Sequence, residues 1–464
     1  VVQPVLAILI IFAWLGTCWY KTVPIQYLTY YDQPVYLSIA YDIDHFGRLT
    51  DGTQWNQPRA DPTRPPGMIR TPLYPIFLAA TAALDPVFKR SLDCMVQDEG
   101  APSCPQRAPL PRILQFLMTV AIYFLLWRIA IRTTGSVRIG WLSLGVGLIT
   151  APVLIRSADS LMTEQMSLLF TTIATLSAVE VFKGRHPFRW ATVAGAMIGF
   201  AALTRPPFIY FLVPAVLFIF PFILRSAQPR RHAFALAGFV LSAFLVVTPW
   251  IIRNAVVMGD PAMTSDYAYL ALTQRVSYDD MNWRQYALFN LCSTPDGVGL
   301  GSLLVEPNAC SKFGYDATPG GFYEIGSSVL LQKTLLAAGG ATHEIHYLVY
   351  HYIICHPVWH AIVSIPMAMR GMWIDHYWGF ILAILCIPMT IRALRQLDAA
   401  LLAVTLPGWF MLAFCAALSA NQVRYNFMLI IPYSLAGGIT LEACLLKIFR
   451  AGMHKNIRMS FKTR

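Results

Sequence analysis

Apolar residues in this chain do not alternate with polar ones. They come in long runs, separated by short polar turns and by two long mixed segments. Runs near 4–21, 112–131, 139–156, 160–181, 190–204, 207–224, 233–251, 376–392, 399–418 and 426–447 each approach the roughly 20 residues that a helix needs to cross a bilayer. Backbone groups in hydrocarbon must be satisfied within the segment, so such runs predict spanning helices. The expected fold is an all-α polytopic membrane bundle of about ten transmembrane helices, a single transmembrane domain over 1–464. No small-residue cleavage pattern follows Val5–Trp19, so that run is expected to be a retained first helix. No fixed-period repeat is present.

Composition agrees with the pattern. The 464 residues are 56% hydrophobic and 13% charged, about half the charged share of an ordinary soluble domain. The net charge of +11 would suit a nucleic-acid partner only if the cations shared one folded surface. They lie instead in the turns holding Arg132 and Arg138, Lys183–Arg189, Arg225–Arg231, Arg392 and Arg395, and in the tail Lys447–Arg464. Cations beside apolar runs mark the cytoplasmic face and favour anionic lipid. Both ends of the sequence then fall on that face. The opposite face receives two extracytoplasmic loops, about 22–111 and 252–375, with short turns at 157–159, 205–206 and 419–425. The first loop is Pro-rich from Pro58 to Pro75, and its stretch Leu73–Leu84 is too short to span, so a re-entrant or interfacial helix is expected. The second ends in an aromatic, His-rich stretch, His343–Trp373, expected as one amphipathic interface helix.

Cys94 and Cys104 in the first loop, and Cys292 and Cys310 in the second, form two close pairs on the outer face. They suit disulfides in an oxidising compartment. Neither pair has CxxC-type zinc spacing. Among chemistry-bearing residues on the same face, Asp32 follows the first helix and Arg70 lies in Arg-Thr-Pro-Leu-Tyr-Pro. Asp159 and Glu164 mark a turn, and Glu164 is placed about one turn inside a helix, where an acid needs a partner or a function. Arg205, Arg253 and Arg424 end or precede apolar runs. Each alone reads as an interfacial Arg, but four outer-face arginines run against the positive-inside bias, and guanidinium forks suit phosphate.

These landmarks together resemble the GT-C superfamily of integral-membrane glycosyltransferases, in the branch with protein O-mannosyltransferases and the lipid A aminoarabinose transferase. Asp32 with Tyr36-Leu-Ser-Ile-Ala40 and Gly47 is similar to that family's acid, Tyr-Leu-x-x-Ala and glycine. Arg70–Pro75 resembles its basic-Pro-Pro-Leu-Tyr-Pro signature, with Thr71 standing where the first proline is usual. Thr163-Glu164, Gly199 with Leu203-Thr-Arg-Pro206, Pro249-Trp250 with Arg253-Asn254, His356-Pro357 near Trp373, and Arg424-Tyr425 follow in the family's order. The second loop is too short for a large soluble catalytic domain.

The resemblance implies a polyprenyl-phosphate sugar donor and inverting hexosyl or pentosyl transfer to a lipid, glycan or protein acceptor at the extracytoplasmic face of a bacterial inner membrane. It implies that Asp32 orients or deprotonates the acceptor, with Glu164 or Asp159 holding a hydroxyl or supporting Arg70. Arg70, with Arg253, Arg424 and Arg205 behind it, would meet the phosphate. Tyr36 and Tyr74 would line a sugar pocket. A transporter or flippase of a lipid-linked saccharide is the alternative; it should show internal repeats and broken helices at the midplane. A non-catalytic subunit on the same scaffold is a third reading. No cofactor is required by these motifs. His343 and His346, beside Glu344 and followed by His351, His356 and His360, leave a divalent metal as a minor alternative without a fixed-spacing motif. P-loop, GxGxxG and GxSxG signatures are absent, which disfavours a nucleotide-sugar enzyme.

Overall fold

A computed structural model describes residues 2–21, 28, 32–52, 62–97, 103–225, 228–265, 267–295, 309–315, 318–338 and 344–462. Among these the only extended pairing is an isolated bridge between Thr50 and Pro66; the rest of the regular structure is helical. The helices are α1 (Val2–Lys21), α2 (Gln33–Phe46), α3 (Leu73–Leu84), α4 (Pro86–Gln97), α5 (Pro109–Thr134), α6 (Val137–Ile149), α7 (Ala151–Asp159) and α8 (Glu164–Lys183). They continue with α9 (Pro187–Thr204), α10 (Pro207–Tyr210), α11 (Leu212–Arg225), α12 (Pro229–Met258), α13 (Tyr267–Val276) and α14 (Trp283–Cys292). The last are α15 (Phe322–Ile325), α16 (Leu331–Ala338), α17 (Glu344–Leu348), α18 (Pro357–Met372), α19 (Tyr377–Gln396), α20 (Ala399–Leu418) and α21 (Ile430–Lys462). Prolines open α5, α9 and α12, where a missing N–H costs nothing, and Gly135 and Gly259 end α5 and α12 at φ +74° and +72°.

Among the described residues, seven helices are long and apolar enough to cross a membrane, or up to nine if each of two bent pairs is one span. The expected single helix over 139–156 is one of those pairs, α6 and α7, bent by 54°. The cause is Pro152, which has no N–H to give and whose ring displaces the Leu148 carbonyl four residues back. That carbonyl accepts instead from Trp14 Nε1 at 2.9 Å, and Thr150 beside the break shares a hydrogen bond with the Tyr123 hydroxyl at 3.1 Å. The run 207–224 is likewise not one long span but α10 followed by α11. The stretch 343–373 is not one helix either: α17, extended to Ile354 as a π-helix, and α18 meet at 93°. Pro357 forces the corner, since the residue before a proline avoids helical backbone.

The tightest helix pair is α9 with α12. A Cβ on Gly195 would overlap the Phe239 carbonyl, and one on Gly199 would stand 2.8 Å from the Ala243 carbonyl. Two small residues one turn apart let the backbones touch, which is how helices associate where no hydrophobic drive operates. The first loop has its own core, in which Tyr74, Leu78, Phe88 and Leu92 pack with Leu161 and Met162 ahead of α8. The second folds around Tyr278, Phe289, Phe313 and Phe322, packed against Val363 and Met367 of α18. Cys94–Cys104 and Cys292–Cys310 are disulfide-bonded, with Cα atoms 5.6 and 5.5 Å apart.

Candidate active site

Asp32 precedes α2, whose second residue is Pro34, so α2 begins where the chain leaves the turn. Its carboxylate is gripped from both sides: Arg70 Nη2 donates to Oδ1 at 2.9 Å and Arg424 Nη2 to Oδ2 at 3.2 Å. The two arginines come from opposite ends of the chain. Glu164 opens α8, where an acid also favours the positive end of the helix dipole. Its Oε1 lies 3.4 Å from Arg205 Nη1 and 3.8 Å from Arg424 Nε. Its Oε2 is buried with no hydrogen-bond partner. Five charged groups therefore form one continuous cluster of three guanidiniums and two carboxylates.

The cluster is only partly closed to solvent. The Asp32 and Arg424 side chains are each 21% exposed, Arg205 18% and Arg70 10%, against 2% for Glu164. Burial pushes the Asp32 carboxyl up, but Arg70, Arg424 and Arg205 outweigh it and hold the pKa below the ordinary carboxylate value. Aromatic faces fix the cations: Arg205 stands 4.6 Å from the Tyr425 ring centre, Arg424 5.3 Å from the same ring, and Arg70 5.4 Å from Tyr36. Such stacking orients a guanidinium while leaving its edge available.

The turn that carries Arg424 is pinned by the second loop. Asn421 adopts φ +39°, a strained conformation for a residue with a Cβ. It is held by Tyr315 donating to its carbonyl at 2.9 Å, by its own Nδ2 donating to Met367 O at 2.7 Å, and by Asn426 Nδ2 donating to its Oδ1 at 2.8 Å. Gly371 of α18 permits the approach, because a Cβ there would collide with Asn421 and Asn426. Gln422 then accepts from Arg424 Nε at 2.7 Å.

The structure thus brings Asp32, Arg70, Arg424, Glu164, Arg205 and Tyr36 together, and gives the other candidates different surroundings. Arg253 donates to the carbonyls of Gly67 at 2.7 Å and Leu49 at 3.0 Å, bracing the first loop beside its Thr50–Pro66 bridge. Asp159 is buried against Arg112, whose Nε lies 3.3 Å from its carboxylate and 3.0 Å from its carbonyl. Tyr74 is fully buried behind Tyr36, edge-on at 5.2 Å, with its hydroxyl donating to Gln115 at 3.1 Å. Tyr425, Gln422, Asn421 and Tyr315 carried no role in the sequence reading; only the Arg-Tyr pairing at 424–425 could have pointed to one of them. Of the histidines weighed for metal, His343 lies outside the described residues. Glu344 is buried while His346 is exposed, so these two do not share a face. The described His/Asp cluster close enough for a metal is Asp44, His45 and Asp93, into which Lys89 Nζ already projects, bonded to Asp44.

Residues 110–252 match the model of the dolichyl-phosphate-mannose-protein mannosyltransferase family. That supports the GT-C superfamily assignment. The match includes Asp159, Glu164 and Arg205 but not Asp32, Arg70, Arg253 or Arg424. A solved structure described as ArnT from Cupriavidus metallidurans bound to undecaprenyl phosphate is 12% identical, covers 93% of this chain and 77% of that one, and superposes with a TM-score of 0.40. At that likeness it carries no argument about this site. No curated protein matches the chain. The GT-C pattern in the sequence and the charged cluster are therefore separate observations on the same residues.

Proposed function

We propose that the protein is a polyprenyl-phosphate-dependent glycosyltransferase acting at the extracytoplasmic face of a cell membrane. The observation that carries this reading is the Asp32 carboxylate held between Arg70 and Arg424, with Arg205 and Glu164 beside it. The family match over residues 110–252, to enzymes named for a dolichyl-phosphate sugar, supports a lipid-phosphate donor. Three guanidiniums against two carboxylates leave a net positive cluster, suited to a phosphate that becomes a leaving group.

In this reading the donor phosphate is bound by Arg70 and Arg424, with Arg205 adding to the field. The bond between the sugar's anomeric carbon and the phosphate oxygen breaks, and its electron pair leaves on the lipid phosphate. Fixed cations stabilise that developing charge without reorganising. An acceptor oxygen forms the new bond and gives its proton to Asp32. A carboxylate clamped by two arginines is a weak base; drawing the arginines onto phosphate restores its basicity, which suits general-base work only once donor is bound. Glu164 Oε2 is the acceptor available to a sugar or acceptor hydroxyl. One displacement inverts the anomeric configuration. Sugar and acceptor classes stay at hexosyl or pentosyl, and lipid, glycan or protein.

A transporter would use its broken helices as a binding site. The break between α6 and α7 does not favour that, because Trp14, Tyr123 and Thr150 occupy its polar groups. The test is direct. Purified protein receives a series of polyprenyl-phosphate sugars with a membrane acceptor fraction, and transfer is read by mass spectrometry. Sugar transfer by wild type, with loss in Asp32→Asn while that variant stays folded, supports the reading. Undiminished transfer by that variant removes Asp32 from the mechanism. For sidedness, the exposed Cys355 and Cys444 are replaced by serine and a cysteine is placed at Lys312, where labelling only from the cytoplasm overturns the topology.

A further inference from the structure

The opposite end of the bundle holds a feature that the transfer reaction does not use. A cavity of about 310 Å³ opens between α8, α9, α11, α12 and α20. It is lined by apolar residues, the small ones including Ala174 and Ala178 of α8, Ala191 of α9, Ala235 of α12 and Ala403 of α20, and the large ones Phe182, Phe218 and Phe239. It runs along α8 from Thr171 to Phe182. At 1.5 Å of rise per residue, its near end is about 10 Å along the helix from Glu164 and its far end about 27 Å. The void therefore occupies the half of the bundle remote from Asp32.

Its far end is basic. Val181 and Phe182 lie in the last turn of α8, Ala191 in the first turns of α9, His232 at the start of α12 and Ala399 at the start of α20. Those helix ends and the turn between α8 and α9 carry Arg185, Arg189, Arg230 and Arg231, and Arg395 lies in the last turn of α19, four residues before Ala399, all exposed. Arg231 is tied to the Arg185 carbonyl, joining two sides of the mouth. The neighbouring acids are engaged elsewhere: Glu180 with Arg132, and Asp398 in capping α20 through the Leu401 N–H at 3.0 Å. An apolar slot among the bundle's helices, with a surplus of cations on the helix ends and turns beyond it, matches a ligand with an apolar chain below an anionic head. Basic pockets between transmembrane helices at the cytoplasmic side are suited to that chemistry.

We propose that this cavity is a binding site for an anionic glycerophospholipid of the leaflet at the basic end of the bundle. One acyl chain fills the alanine-lined slot and the phosphate lies among Arg189, Arg230 and their neighbours. Occupancy would join α8, α9, α12 and α20 at the end remote from the transfer site, and it is independent of that chemistry.

The experiment is native mass spectrometry of the full chain in detergent with equal phosphatidylglycerol and phosphatidylcholine. The expected result is one retained phosphatidylglycerol. At about a fivefold affinity gain per surface Arg, removing two in Arg189→Gln/Arg230→Gln should lower the preference by about twenty-five-fold. Ala178→Phe/Ala403→Phe, which fills the slot at two half-buried positions, should abolish retention while leaving the arginines intact. The lipid-free melting temperature of each variant checks that the bundle is folded, and the arginine pair keeps the test alive if the filled variant is not. Equal retention of the two lipids, retention unchanged by filling the slot, or a polyprenyl phosphate held there in place of phosphatidylglycerol would each overturn the proposal.

Discussion

Two clusters of charge lie under the two long loops, and they are built differently. In the second loop Arg275 is fully buried, and every nitrogen of its guanidinium is bonded. Nε donates to Ala416 O at 2.7 Å, Nη1 to Asp279 at 2.8 Å, and Nη2 to Ser364 Oγ at 2.8 Å and His360 O at 3.1 Å. Asp279 Oδ2 pairs with His360 Nδ1 at 2.7 Å. Cation and anion balance, and one Arg ties α13, α18 and the end of α20 into a unit. The cluster around Asp32 has more cations than anions, longer ion-pair distances and arginines left 10–21% exposed. A buried charge whose every nitrogen is bonded holds structure. A clustered excess of one sign, partly open to solvent, can accept a ligand that balances it.

The comparison breaks most sharply at the two aspartates. Asp32→Asn should cost about 10²- to 10⁴-fold in transfer, the range for a positioned acid or base, with a smaller loss of stability than at Asp279. Asp279→Asn should cost about 3–5 kcal/mol of stability, because it leaves Arg275 buried and uncompensated, while the activity of the folded fraction persists. Denaturation followed by circular dichroism, paired with the transfer assay, separates the two; equal loss of stability in both variants would erase the distinction. Next in size, Arg424→Gln should lower transfer by about 10²- to 10³-fold, as for loss of one transition-state donor.

A smaller effect concerns the first loop's frame. Cys94→Ser/Cys104→Ser opens a short loop and should cost about 2–3 kcal/mol, read as a lower melting temperature with transfer retained below it. The smallest expected effect is on pH. Asp32 has a depressed pKa in the folded protein, so its contribution to stability is present above the ordinary carboxylate pKa of about 3.9 and is lost as pH falls through the lower folded value. Arg424→Gln removes one of the cations responsible. The acid limb of stability should then move upward toward the ordinary value; an unmoved limb would mean that Arg424 does not set the Asp32 charge.

The residues that can do the chemistry were legible as a list, because aspartates and arginines beside apolar runs are conspicuous in a chain that is 13% charged. Their grouping was not. Arg205, Arg253 and Arg424 look alike in sequence, each at the end of an apolar run. The fold sends Arg205 and Arg424 to the cluster and Arg253 to the carbonyls of Leu49 and Gly67. Asp159 and Glu164 stand five residues apart, yet the corner after α7 turns one toward Arg112 and the other toward Arg205. Long helices were readable from composition, whereas the corners at Pro152 and Pro357 split two expected helices. In both cases a proline was visible, but whether the freed backbone finds a partner depends on residues far away, as Trp14 does for Leu148.

By itself the sequence determined the solvent this protein is built for, the run of helices and the residue types able to handle a phosphate, since hydropathy and charge placement act locally along the chain. The tertiary structure alone decided that Asp32, Arg70 and Arg424, spread over nearly the whole length, share one carboxylate's worth of space. Ion pairing over a few ångströms depends on how helices cross and loops fold back, and no local pattern encodes that distance.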